Sequence, residues 1–432
     1  VSYSEIDRSN LPPGLADLTS FGLVEALYGR RSRRFSMGVT APANPLGFAS
    51  QHEPVPLTEL EELLVLNGMA GNTGWHSSIK GSPLYAPHVS NYSAAAGGRA
   101  MPSAAGYHTS ELFFTNDRGT YMFPTRDAPA LVDGIPDDEG SLIEALEAHG
   151  KRIKQLSDHR IPTPPREPYI IAHNTWCANV PGSTLIIPVG DVAQQLIALL
   201  CFLVQNGHCI YDDVNDRQIP GLDRFSDIVD VEQPARALSY METYALTECT
   251  AELSCSCLAG MLMLQATGLG GWMFDGINRF ALYGTMDDPE APGLGFAYDQ
   301  HDDWTIPNPT GIPGVFEGLS PPHYPDMRAA VEAFAERKFG PGGPYNPDTP
   351  GPWKDSRGVR SSAQVHSEEF KDCVGVMAQY IYDTFGKFPG TVPTIFSITF
   401  LQVHHLDIDY YDELFEPGHL LDTHRSHMER WH

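Results

Sequence analysis

The chain has 432 residues, 42% hydrophobic and 19% charged, the composition of a soluble globular protein long enough for two or three domains. Its 28 Lys and Arg stand against 54 Asp and Glu, a formal charge of −26. A field of that sign repels phosphate backbones and anionic lipid, which argues against nucleic acid and membrane as partners. A bound phosphate would need a local basic cluster.

The seven cysteines are odd in number, sparse and mostly set in apolar runs, the usage of a reduced, cytoplasmic protein. Cys255 and Cys257 form a C-x-C with no second pair at zinc spacing, so burial is the favoured reading. The stretch Leu185–Val204, interrupted by Pro188, Asp191, Gln194 and Gln195, and the uncharged stretch Leu253–Phe274 read as core helices rather than membrane spans.

Residues 1–20 form a Pro-containing arm, and Phe21 to Tyr28 reads as a short amphipathic helix. It runs into Arg30-Arg31-Ser32-Arg33-Arg34, a basic knot in an acidic chain. Guanidinium forks there suit either a salt-bridged surface or an anion site. Thr58 caps a helix, with Glu61 completing a capping box. Strands are expected at Glu111–Thr115 and Gly119–Phe123 about Asn116-Asp117, and an exposed helix over Asp137–Leu156. Thr184–Pro188 reads as a strand and Val192–Gln205 as a helix. Asp212, Asp213 and Asp216 lack the spacing of a calcium loop. Glu232–Gln265 is mostly helical.

The helix then breaks into Gly268-Leu269-Gly270-Gly271, followed by Trp272, Met273, Phe274 and Asp275-Gly276. This reads as a special loop, where glycine permits a left-handed or closely approached backbone beside a large apolar surface. Helices follow at Tyr324–Phe339 and Phe370–Phe385, and Thr394–Val403 is the clearest strand signal. His404, His405, His419, His424, His427 and His432 crowd the end of the chain. His424-x-x-His427 places two imidazoles on one helix face, and three uses stay open: a metal site, a substrate pocket, or a packed tail.

Three of these stretches together resemble the nitroreductase-like flavoprotein superfamily, and within it the thiazole/oxazole-forming peptide dehydrogenases. The resemblance implies that Arg30, Ser32 and Arg34 hold the phosphate and ribityl chain of FMN. Pro102 and Ser103, in Arg99-Ala-Met-Pro-Ser-Ala-Ala-Gly106, match the segment lying along the isoalloxazine. Gly268, Leu269 and Gly270 match the turn after the family's buried helix. Asp275 and Gly276 then present backbone amides to flavin N5, with Trp272 and Phe274 as an aromatic wall against ring or substrate.

The implied protein is α+β, a mixed sheet surrounded by helices. It has an arm (1–20), an FMN-binding domain (21–300) and a C-terminal extension (301–432) packing on the core or on a partner subunit. The implied function is FMN-dependent hydride transfer to or from a small-molecule or peptide substrate, in a homodimer, with a nicotinamide nucleotide as a candidate electron donor and no metal. The alternatives are a non-catalytic partner subunit of a biosynthetic complex, or a metal-dependent enzyme using the histidine tail. The family's late basic phosphate contact and its catalytic Lys-Tyr pair find no match.

Overall fold

A computed structural model describes residues 3–75, 97–103, 106–126, 136, 138–232, 236–351, 353–361, 363 and 365–432. Helices and sheets are mixed, as an α+β chain requires. The main sheet is antiparallel. Its strands lie in the order Gly270–Phe274, Phe400–His404, Thr184–Asp191, Ser110–Asn116, Gly119–Phe123, Lys154–Ser157, and Ile395–Phe396 pairs with the far end of Thr184–Asp191.

One register row shows how the core is assembled. Met273 pairs with Leu401, Leu401 with Ile186, Ile186 with Phe114, and Phe114 with Tyr121. Side chains alternate between faces along a strand, so this row shares one face, where helices Glu59–Ala70 and Leu238–Thr267 contribute Leu63, Leu66, Cys257, Met261 and Leu264. The residues between them, Leu185, Ile187, Phe113, Met122 and Trp272, fill a second core on the other face. Every residue of Thr184–Asp191 is therefore buried, which is why that strand reads as an apolar run rather than an alternation.

The capping box forms: Thr58 accepts from the Glu61 N–H, and Glu61 Oε2 accepts from the Thr58 N–H and hydroxyl. Two adjacent glutamates at a helix start would ordinarily face water, yet Glu61 and Glu62 are both buried. Glu62 accepts from Tyr3 Oη (2.7 Å), Asn116 Nδ2 (2.7 Å) and Thr184 Oγ1 (2.6 Å) and pairs with Arg118. A buried carboxylate persists only with such company. The arm is therefore not loose along its length, since Tyr3 is part of this knot.

Two expectations change. Residues 301–432, read as an extension, supply Phe400–His404, which lies between Gly270–Phe274 and Thr184–Asp191. The segment after Gly268 is not a loop but an edge strand. Gly268 does end the long helix in the left-handed conformation (φ 81°), and the residues beyond it then find a partner about 130 residues later. Of the described helices, Leu238–Thr267 alone is long and apolar enough to cross a membrane by length and composition. Here it packs between Glu59–Ala70 and Val192–Gln205, with Glu242 and Glu252 buried along it.

Candidate functional site

The basic segment leaves the short helix Leu23–Gly29 and runs extended beside the edge strand, held by a pair of backbone hydrogen bonds between Arg33 and Gly271. Extended chain turns alternate residues inward, so Arg33 and Phe35 are buried, Arg34 is half-buried, and Arg30, Arg31 and Ser32 are exposed. Sequence reasoning missed Arg33. Its guanidinium donates to Gln265 Oε1 (2.9 Å) and to the carbonyls of Gly29 (3.1 Å) and His419 (2.7 Å), and burial pulls its pKa down to about 10. The i, i+2 alternation of Arg33 with Phe35 was the available signal. Among the described residues the Arg30 guanidinium and the Ser32 hydroxyl make no hydrogen bond, which leaves their donors open to an anion.

Arg34 meets the other half of the predicted site. Its Nη1 donates to Asn174 Oδ1 at 3.3 Å, and its guanidinium carbon lies 5.6 Å from the centre of the Trp272 ring. Asn174 is buried beneath Gly276, and a Cβ at Gly276 would collide with Asn174 Nδ2. Asn174 therefore joins Arg34 to Gly276, 242 positions away in sequence. Trp272 is fully buried with Phe274 stacked on it at 4.7 Å, and its indole N–H has no hydrogen-bond partner among the described residues. It is a floor under Arg34 rather than an exposed wall. Asp275 is exposed, while the Gly276 carbonyl accepts from the Ile171 N–H. Cys177, close by, is buried, and burial pushes its thiol up to about 12, so it stays protonated.

The remaining predicted residues sit elsewhere. Gly268 packs against the backbone of Thr423 and His424, Leu269 is core, and Gly270 lies against Leu406 and His404. Close packing accounts for all three. Pro102 is exposed, and Ser103 Oγ donates to Glu252 on the long helix. Arg33 binds Gln265 of the same helix, 13 residues on, which at 1.5 Å per residue is about 20 Å. One chain does not bring Ser103 to the arginine segment.

The C-terminal histidines divide. His424 is buried, takes the Leu421 N–H on Nδ1 and is held by burial at a pKa of about 3. His419 stacks on Tyr411. His427 turns instead toward Glu61, His405 and His432.

Compared with known proteins, the sequence matches no family model and no curated protein. A crystal structure assigned provisionally as a nitroreductase, from Ralstonia eutropha JMP134, is similar at 14% identity over 66% of this chain and 81% of that one, with a TM-score of 0.29. A likeness at that level is too slight to weigh for or against any reading.

Proposed function

We propose that the chain is a flavin-dependent oxidoreductase that binds FMN against the segment Arg30–Arg34 and the edge strand. The observation that carries this reading is the Arg34–Asn174–Gly276 junction. Two motifs singled out by resemblance, far apart in sequence, share one buried asparagine. FMN, when bound, supplies the two-electron chemistry itself.

The chain's own residues then have simple tasks. Arg30 and Ser32 offer exposed donors to a phosphate. Arg34, backed by Trp272, places a fixed positive charge near a ring that becomes electron-rich on reduction. Gly276, lacking a Cβ, makes room for the Asn174 amide that anchors Arg34.

The second face of such a ring needs cover that one copy does not give. Leu23, Val24, Leu27 and Tyr28, on the helix leading into the arginines, are large apolar residues left exposed. A contiguous patch of that kind fits an assembly face. In the proposed homodimer, the Pro102-Ser103 segment of the second copy would supply the missing side.

An absorbance spectrum of the purified protein tests this, followed by titration with FMN. Uptake of one FMN per chain with a flavin band is expected, and its loss in the Arg30→Ala/Arg34→Ala variant with unchanged circular dichroism. A colourless protein that takes up no FMN sinks the proposal.

A further inference from the structure

Away from the arginine segment, four ligand-type atoms converge. Glu61 Oε1 lies 3.1 Å from His405 Nε2, 2.8 Å from His427 Nε2 and 3.4 Å from His432 Nε2, and the Nε2 atoms of His405 and His432 are 3.2 Å apart. The four atoms all lie within 4.8 Å of one another. They come from the first turn of Glu59–Ala70, the residue after Phe400–His404, and helix Asp422–Trp431 with the residue that follows it. Glu61, His405 and His427 are buried, and His432 is exposed at the end of the chain with about a quarter of its side chain accessible.

Backbone carbonyls orient two of the rings. His405 Nδ1 sits 2.8 Å from the Val55 carbonyl oxygen, and His427 Nδ1 sits 2.8 Å from the Thr267 carbonyl oxygen. A carbonyl only accepts, so both rings carry a hydrogen on Nδ1 and turn Nε2 inward toward Glu61. Glu61 Oε2 is occupied by the Thr58 N–H and hydroxyl, which orients Oε1 toward the same point. Three imidazole nitrogens and a carboxylate oxygen therefore converge on one point, where protons on Nε2 or a bound cation must hold them together. Among the described residues His427 Nε2, though 2.8 Å from Glu61 Oε1, makes no well-aligned hydrogen bond.

We propose that Glu61, His405, His427 and His432 form a four-coordinate site for a zinc-class divalent ion. Bonds of about 2.0–2.1 Å in a tetrahedral site set ligand-to-ligand edges of roughly 3.3 Å, close to the separations above. The backbone carbonyls on the two Nδ1 atoms are the outer partners that fix imidazole ligands of a metal. Borderline-soft nitrogen with a single carboxylate suits zinc and disfavours calcium or magnesium, which take mostly oxygen. All four positions come from the protein, so the site is structural: it clamps the terminal helix to the capped start of Glu59–Ala70.

The test uses the full chain without an added polyhistidine segment, dialysed metal-free and then titrated with zinc chloride. One zinc per chain by plasma mass spectrometry is expected, together with visible absorption of four-coordinate cobalt(II) in the cobalt-loaded form. Thermal midpoint should fall when chelator is added and recover with zinc. His432→Ala, the mildest change, should weaken zinc binding at least tenfold with unchanged circular dichroism, and His405→Ala/His427→Ala should abolish it. A wild-type chain that takes up less than a tenth of an equivalent of zinc and melts identically with chelator overturns the proposal, as the cluster then holds protons. Full zinc retention in the His405→Ala/His427→Ala variant also overturns it.

Discussion

Arg33 and Gly271 face each other as an antiparallel pair, each N–H donating to the other's carbonyl at 3.1 and 3.0 Å. This pairing sews the basic segment to the open edge of the main sheet. Gly271 has φ of +152°, and a Cβ there would run into the Gln402 carbonyl. Gly271→Ala should therefore cost on the order of 2–4 kcal/mol through strain and overpacking. Urea unfolding would measure it, and a loss below about 0.5 kcal/mol would mean the strand is less constrained than it looks.

Arg33 and Arg34 are adjacent yet should respond differently. Arg33→Lys keeps the charge but cannot reach three separate acceptors, and should lower stability by about 2–3 kcal/mol. Flavin taken up per folded molecule should stay unchanged. Arg34→Lys should do the reverse, with little effect on denaturation midpoint and weaker FMN binding. Equal flavin loss in both variants would contradict the division of labour.

Gly276→Ala pushes on Asn174 Nδ2, the end of a side chain that can turn away. The expected outcome is a modest stability change, about 1 kcal/mol, with a larger fall in FMN affinity as Arg34 loses its anchor. Titration followed by flavin fluorescence checks it; unaltered affinity would remove Gly276 from the site.

Lys338 supplies a pH signature unrelated to ligand. It is buried between the rings of Phe334 and Tyr345, and burial pulls its pKa down to about 7. Between that value and about 10.4 the unfolded chain binds a proton that the folded chain does not, so this group makes stability rise with pH across the window. At pH 7 and below the folded state carries the full penalty of a buried ammonium. Lys338→Met should stabilise the protein there by up to about 5 kcal/mol, and the gain should vanish near pH 10.5. Denaturation at pH 6, 8 and 10 checks the slope. A gain independent of pH would show that the ammonium is not the cause.

What the sequence disclosed was local. The Thr58–Glu61 box, the Asn116–Gly119 hairpin and the glycine stop at Gly268 each depend on residues a few positions apart, and each forms. The rest depends on distant partners. Gly270–Phe274 resembles a loop because its glycines are explained only by what lies across from them: His404, Gln402 and Leu406. Arg30 and Arg34 were selected over Arg33 by motif spacing, whereas the alternation of Arg33 with Phe35 was the signal that would have turned it inward. Glu61 was legible as a cap, but its second oxygen, aimed at three histidines more than 340 residues away, was not.

The position of Phe400–His404 inside the sheet has a consequence for biosynthesis. As the polypeptide leaves the ribosome, Thr184–Asp191 and Gly270–Phe274 emerge with hydrogen-bonding edges that face each other's future partner but have nothing between them. At 5–20 residues per second, the stretch from residue 274 to residue 400 takes roughly 6–25 s to make. For that interval the nascent chain carries two unpaired apolar edges, the form most prone to wrong pairing. A holding chaperone that recognises exposed strands would raise the yield of full-length protein, and a stop codon between residues 274 and 400 would produce chains that keep both edges open and aggregate.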